Sequence, residues 1–445
     1  MKREIKFLGF VLLAAGLVCT FLSCAGSPSA YAKLDENVKT GSYDDALVTL
    51  NKEKKPSRRA IYSARSNILF YLDSGMIKHY AEMYTESSRD LETAEHLIEA
   101  AFTKSISQEI GSYLTNDNVK DYSGEDYEDL YINVFNSLNY YHNNDLEGAL
   151  VEIRRLNEKL LFLSDKYEKA KDKVLSSNQQ IDPGQLPVEA AKFSNSALAR
   201  YLGILFYRAT GRMDSVRIDY ENLLKAYELA PEVYANRVPS SVEDELQVPP
   251  GMGRLNVIAF TGLSPIKTTE SIWIPLPLPP PNNLARLVLP RLVSRPQTVH
   301  RVEAVLGTGE RFNLELIEDM DAVARETFKS RYGLTVLKTT ARMIMKSVAS
   351  AAAARAASGR DDNRSGLGSL VGLLGRIYSD VSEQADTRLS RYFPGYALVG
   401  GINLVPGCYN VTLNFYGNYG LVYSENKGIE VRERNLNLAE FVCLR

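Results

Sequence analysis

Acidic and basic side chains gather in one stretch of this sequence. Glu125, Asp126 and Glu128 stand within four residues of one another, and Arg154 and Arg155 follow one helix later. Two acids facing an open cleft can act as general acid and base on a bound substrate. The same acids beside arginines can instead form a charged patch that docks a partner. They can also serve only as caps and ion pairs between helix and loop, the commoner fate of such groups. Asp386 and Arg388 pose the same alternatives. The functional reading is therefore a partner-binding patch made by Glu125, Asp126, Glu128, Arg154, Arg155, Asp386 and Arg388. The structural reading of the same residues stays open beside it.

Other chemistry is hard to find in the chain. Its histidines are His79, His96, His142 and His300, and no two sit one helical turn apart as metal ligands would. There is no phosphate-binding glycine loop and no nucleophile elbow. Asp361, Asn363 and Ser365-Gly366 mimic the start of a calcium loop, but Gly372 occupies the place of the closing bidentate glutamate. No catalytic residue, metal or cofactor is assigned from the sequence. Cys408 and Cys443 are candidates for a disulfide, with two separate thiols as the alternative, since spacing alone cannot supply the required Cα separation. The net charge is −2. Such a balance offers little to neutralise a phosphate backbone, so nucleic acid is not expected as a partner.

The elements that would position these groups divide the chain in two. Ser123 followed by Asp126 reads as a helix start, and an apolar helix runs from Leu130 to Tyr141. A polar break, His142-Asn-Asn-Asp145, leads into a second helix from Leu146. Similar pairs recur. Gly41-x-Tyr43-x-x-Ala46 opens one, and Tyr71, Gly75, Tyr84, Ser87, Leu91 and Ala94 mark another. Ser137, Tyr140, Leu146, Ala149 and Ile153 mark a third. Gly203, Phe206, Gly211, Ala226 and Pro231 mark a fourth, longer unit. These offsets resemble tetratricopeptide repeats, in which small residues let helices cross closely.

Beyond residue 237 prolines mark a linker, and strand-like runs follow at Leu255–Phe260, Leu284–Val293, Thr298–Leu306 and Arg311–Ile317. Trp273 to Pro281 must be extended, since proline fixes φ. Asp319–Arg331 and Leu334–Ala357 read as two helices broken at Gly333, and Leu370–Ser390 as a third. Lys338, Arg342 and Lys346 fall on one stripe of the second, which suits anionic lipid, an acidic partner or plain solvent. Strands return at Tyr396–Val399, Tyr409–Phe415 and Gly428–Val431, with Gly417–Gly420 as a hairpin turn.

The N-terminus reads as an export signal. Lys2, Arg3 and Lys6 precede an apolar run, Phe7–Val18, too short to span a bilayer comfortably. Phe21-Leu-Ser-Cys24-Ala25 resembles a bacterial lipobox, which implies that Cys24 is lipidated and becomes the first residue. With Ala25 after the cysteine, the enterobacterial sorting rule implies the outer membrane.

Taken together the chain resembles a family of largely uncharacterised bacterial lipoproteins with a tetratricopeptide-like N-terminal half and a β-rich C-terminal half. The residues that carry the likeness are Asn116-Asp117, Tyr122, Gly124-Glu125-Asp126-Tyr-Glu128, Leu138-Asn139-Tyr140, Ala149–Glu152 and Arg154-Arg155. Ala385-Asp386-Thr387-Arg388, Leu404, Gly407 and Tyr409 extend it. Leu389–Pro394 is a looser version of the family's continuation.

The expected fold is α+β and multidomain, a TPR-like α-solenoid followed by a β-sandwich-like domain with a helical insertion. Residues 1–23 would be the signal peptide, 24–30 a tether, 31–236 the repeat domain and 237–250 a linker. Residues 251–445 would be the β-rich domain, with the insertion at about 319–390. The expected function is an envelope lipoprotein scaffold that binds a protein or peptide through a TPR-like groove. It would be held to the membrane by its N-terminal lipid and assist envelope assembly without being an enzyme. An enzyme acting on wall polymer, with Glu125, Asp126 or Asp386 as acid or base, and a purely structural envelope protein are the alternatives.

Overall fold

The computed structural model describes residues 28–57, 60–107, 120–177, 181–182, 184, 186, 189, 191–275, 284–358 and 385–445. Cys24 and the calcium-loop-like stretch 361–372 lie outside them.

Among the described residues eight α-helices come first: α1 Pro28–Lys39, α2 Tyr43–Glu53, α3 Asn67–Tyr80, α4 Tyr84–Ser107, α5 Asp126–His142, α6 Leu146–Ser177, α7 Ala197–Ala209 and α8 Met213–Leu229. Each helix packs on the next. Small residues set the closest crossings, as the spacing suggested. A Cβ on Gly75 would lie 2.7 Å from the Leu91 side chain, and one on Gly203 would collide with Asp219. At that crossing Ser87 Oγ donates to Gly75 O (2.8 Å), which joins α4 to α3.

The β elements are β1 Gly253–Thr261, β2 Ile266–Pro275, β3 Leu284–Val293, β4 Arg301–Leu306, β5 Arg311–Asp319, β6 Tyr396–Leu404, β7 Gly407–Gly417, β8 Gly420–Val431 and β9 Asn437–Cys443. A ninth helix, α9 Met320–Ser358, separates β5 from β6. Seven strands form one mixed sheet in the order β8-β7-β4-β5-β6-β1-β9, with β9 parallel to β1. The sheet curls until its two edges nearly meet. Lys427 Nζ on β8 donates to Glu440 O on β9 (2.9 Å), and Arg445 reaches Val422 O (2.9 Å). A bulge at Leu316/Glu318 in β5 adds bend to the sheet. β2 and β3 pair only with each other and stand apart as a ribbon.

The expected solenoid-plus-sandwich is therefore corrected. The helices do not form a clear N-terminal solenoid, and the sheet is a nearly closed barrel rather than a sandwich. Two cores explain the arrangement. Alternate side chains fill the barrel interior, among them Leu255, Val257, Val302, Leu413, Phe415 and Phe441. The other face of β1, with Ile258 and Phe260, belongs to a single core that runs from Leu34 on α1 to Leu444. β1 is consequently buried along its whole length.

The face of the helices that would line an open groove is filled. Phe393 packs against Tyr127, Tyr131 and Phe135 of α5, and Phe135 meets Phe260 of β1. Each aromatic so buried contributes about 1.5–3 kcal/mol. These contacts outweigh the single ion pairs nearby and decide where the barrel docks. Further corrections concern the inserted segment. Gly333 does not break α9, which runs through it, and residues 385–390, expected in a helix, have no regular structure.

Candidate functional site

The acidic cluster begins at the start of α5. The helix opens at Asp126 rather than near Ser123, and the Glu125 backbone N–H donates to the Glu128 carboxylate at 2.7 Å. Ser123 Oγ instead accepts from Arg331 (2.6 Å). Glu125, Asp126 and Glu128 are all buried, so they form no surface patch. Glu125 pairs with Lys267 of β2 and Arg331 of α9, and Asp126 accepts from the Tyr167 hydroxyl at 2.6 Å. Arg154 is exposed, and Arg155 pairs elsewhere, with Glu95 (3.4 Å) and Glu152 (3.2 Å) on α4 and α6. Arg154 and Arg155 thus do not join the three acids.

Asp386 and Arg388 do come close to them. They pair with each other at 2.7 Å, and the Arg388 guanidinium lies 5.4 Å from the Tyr122 ring. Arg388 also donates to Arg65 O and Lys120 O. This fixes the first residues of segment 385–395, which threads between α3, α5 and the barrel. Buried carboxylates grip the rest of its backbone. Glu128 accepts from the Ser390 N–H (2.6 Å), and Asp73 accepts from the Arg391 N–H (3.0 Å) and the Ser390 hydroxyl (2.6 Å). Tyr122 and Tyr62 hydroxyls donate to the same two acids at 2.7 Å. Burial pushes the Asp73 carboxyl up to about 6. Burial, joined by the Glu125 charge, pushes Glu128 up to about 7. The sequence-picked acids thus work as a clamp on the chain's own segment. Glu125, Asp126 and Asp386 line neither of the two clefts described below.

Glu318, which the sequence did not single out, does similar work for the helices. Lying at the β5 bulge, it accepts from Tyr131 (2.8 Å), Tyr234 (2.6 Å), Ser196 (2.9 Å) and the Leu198 N–H (3.2 Å). It thereby satisfies one orphan amide at the start of α7, while Ala197 N–H donates to the Tyr234 hydroxyl and Ala199 N–H to Ser196 Oγ. Burial raises its pKa.

A second cluster lies where α3 and α5 meet β9. Glu440 sits between two histidines, with Oε1 2.7 Å from His79 Nε2 and Oε2 2.8 Å from His142 Nε2. His79 Nδ1 is 2.7 Å from Asn139 Oδ1. The proton positions follow from the far end of this chain. Ser87 Oγ gives its hydrogen to Gly75 O, so it must accept from Asn139 Nδ2 (2.9 Å). That fixes the Asn139 oxygen toward His79. Both His79 nitrogens then face acceptors, which makes the ring an imidazolium paired with a carboxylate. Although burial opposes it, the Glu440 charge and both hydrogen bonds hold the His79 pKa above its ordinary value. Glu440 is likewise buried, yet His79 and His142 hold it well below the usual carboxylate range. Tyr84 stacks on His142 with centroids 4.2 Å apart.

A cleft of about 190 Å³ opens beside this cluster. Tyr43, Tyr84, Tyr423, Glu425, Lys427 and Arg445 help to line it. A second, shallower one lies between β3 and α9 around Phe328 and Tyr332. Among the described residues no group of three or more His, Cys, Asp or Glu is arranged to hold a metal ion. No described helix is long and apolar enough to cross a membrane. Cys408, exposed on β7, and Cys443, buried at the end of β9, are free thiols, and their strands do not pair. The disulfide alternative is corrected accordingly. On the basic stripe Arg342 is buried, not presented to lipid or solvent.

Sequence reasoning missed the His79–Glu440–His142 cluster because no local spacing links its members. His79 and Glu440 are 361 residues apart and meet only when β9 docks on the helices. Searches against protein-family models, curated proteins and solved structures return no match for this chain.

Proposed function

We propose that this chain is a lipid-anchored protein of the bacterial cell envelope that holds a protein or peptide partner, with Cys24 as its anchor. The anchor reading rests on the N-terminal sequence, which has a basic start, a short apolar run and Ser23-Cys24-Ala25. The partner does not use a repeat groove, because that face is filled by residues 385–395. The observation that carries the holding role is the β2–β3 ribbon. It stands outside the seven-stranded sheet, and Trp273 on it is 62% exposed opposite Arg286. Tryptophan and arginine are the residue types that dominate binding hot spots. A large exposed apolar side chain beside a cation suits a protein contact with apolar and acidic groups.

The test uses a photo-crosslinking residue at position 273 in intact cells, with position 419, on the exposed β7–β8 turn, as control. Discrete adducts from 273 alone support the reading, and identical adducts from both positions, or none, overturn it. Cys24→Ser is expected to move the protein from the membrane to the soluble fraction. Unchanged membrane partition would refute the anchor.

A further inference from the structure

The cleft beside the helix–barrel seam has properties that the holding role does not use. Among the described residues, the hydroxyls of Tyr43, Tyr84 and Tyr423 have no hydrogen-bond partner, yet all three tyrosines line this cleft. A phenol hydroxyl can both donate and accept. Three tyrosines with unengaged hydroxyls along one cleft offer a binding surface for a molecule that carries hydroxyls of its own.

The lysine and the carboxylate at the seam side of the cleft are already engaged. Lys427 Nζ is occupied by Glu82 (3.2 Å), Glu425 (3.3 Å) and the Glu440 carbonyl (2.9 Å). Arg445 donates to Val422 O and lies 5.1 Å from the Tyr423 ring. The Glu440 carboxylate is shared between His79 and His142. A charged ligand placed against Lys427 or Glu440 would have to break one of these pairs and leave a partly buried charge behind. A neutral polyol would only add hydrogen bonds, while the tyrosine rings offer apolar surface to its C–H faces. The volume, about 190 Å³, is below the range typical of drug-sized ligands and suits one ring.

We propose that this cleft binds a neutral carbohydrate, taking a single sugar ring at the end of a glycan. The site depends neither on the lipid anchor nor on Trp273. Its failure would leave the partner-holding role intact, and the reverse also holds.

The experiment is saturation-transfer NMR on the folded soluble chain with N,N′-diacetylchitobiose and maltose as probes. Glucosamine and glucuronate serve as charged controls. At least one neutral probe is expected to receive saturation and to bind more tightly than either control. The double variant Tyr84→Phe/Tyr423→Phe keeps both rings and loses both hydroxyls, and should bind at least tenfold more weakly. Tyr419→Phe, on the exposed turn, should bind as wild type. Chemical-shift changes of the wild-type tyrosine rings on sugar addition give a readout that needs no variant. No saturation of either neutral sugar at millimolar concentration would overturn the proposal. So would tighter binding of a charged control, or wild-type affinity in a folded double variant.

Discussion

Replacing Glu440 by glutamine tests the proton arrangement at the seam. The amide can accept from His142 and donate to His79 Nε2, so the packing survives. His79 then has no counter-charge and is neutral in the folded variant, because a buried imidazolium without a partner is costly. The folded wild type thus binds one proton more than folded E440Q. Each bound-proton difference changes stability by about 1.4 kcal/mol per pH unit.

The direction follows from the two shifts. His79 is raised, so its contribution is complete below the unfolded imidazole value of about 6.5 and fades as pH rises through the folded value. Glu440 is depressed, so its contribution is complete above the unfolded carboxyl value of about 4.3 and fades only as pH falls through the folded value. Both are complete between those limits. E440Q, in contrast, loses stability as pH drops below about 6.5, because its unfolded histidine gains a proton that the fold refuses. The advantage of wild type over E440Q should therefore be larger at pH 5.5 than at pH 7.0, by at most about 2 kcal/mol, the limit for one full proton over that range. Urea unfolding at several pH values across that range measures the difference. Side-chain ¹⁵N shifts of His79 should report an imidazolium in the wild type and a neutral ring in the variant. Parallel stability curves would refute the proton assignment.

Two further outcomes follow from the core. Gly75→Ala gains about 1 kcal/mol in helix propensity but places a methyl 2.7 Å from buried Leu91, an overpacking cost of about 1–3 kcal/mol. Its Tm should fall, and Leu91→Ala in the same chain should cost less than the two single changes summed. The raised Asp73 and Glu128 carboxyls, at about 6 and about 7, contribute fully below about 4 and lose that contribution as pH rises through those values. Glu128 alone then accounts for about 3 kcal/mol between pH 4.5 and 7. Amide exchange at Ser390, corrected for its intrinsic pH dependence, should show protection weakening over that interval, and constant protection would contradict the clamp.

The helical pairs were legible in the sequence because their signals are local. Gly75 and Ser87 lie twelve residues apart, and the glycine must be small wherever two helices cross closely. Most strands were legible for the same reason, since alternation and turn residues act over a few positions. β9 escaped notice: Asn437–Cys443 is short and buried on nearly every residue, so it shows no alternation. The acids at 125, 126 and 128 were visible as a group, but not their burial, which depends on Lys267, Arg331 and Ser390 arriving from far along the chain.

Tertiary structure alone decided whether the helices kept an open face. The sequence supplied amphipathic hairpins, which only have to bury one side against something. A neighbouring repeat and a barrel satisfy that need equally well. The aromatic face of α5 and the strand β1, buried on both sides, chose the barrel. That choice closed the groove, brought Glu440 between two histidines and left three tyrosines lining a cleft.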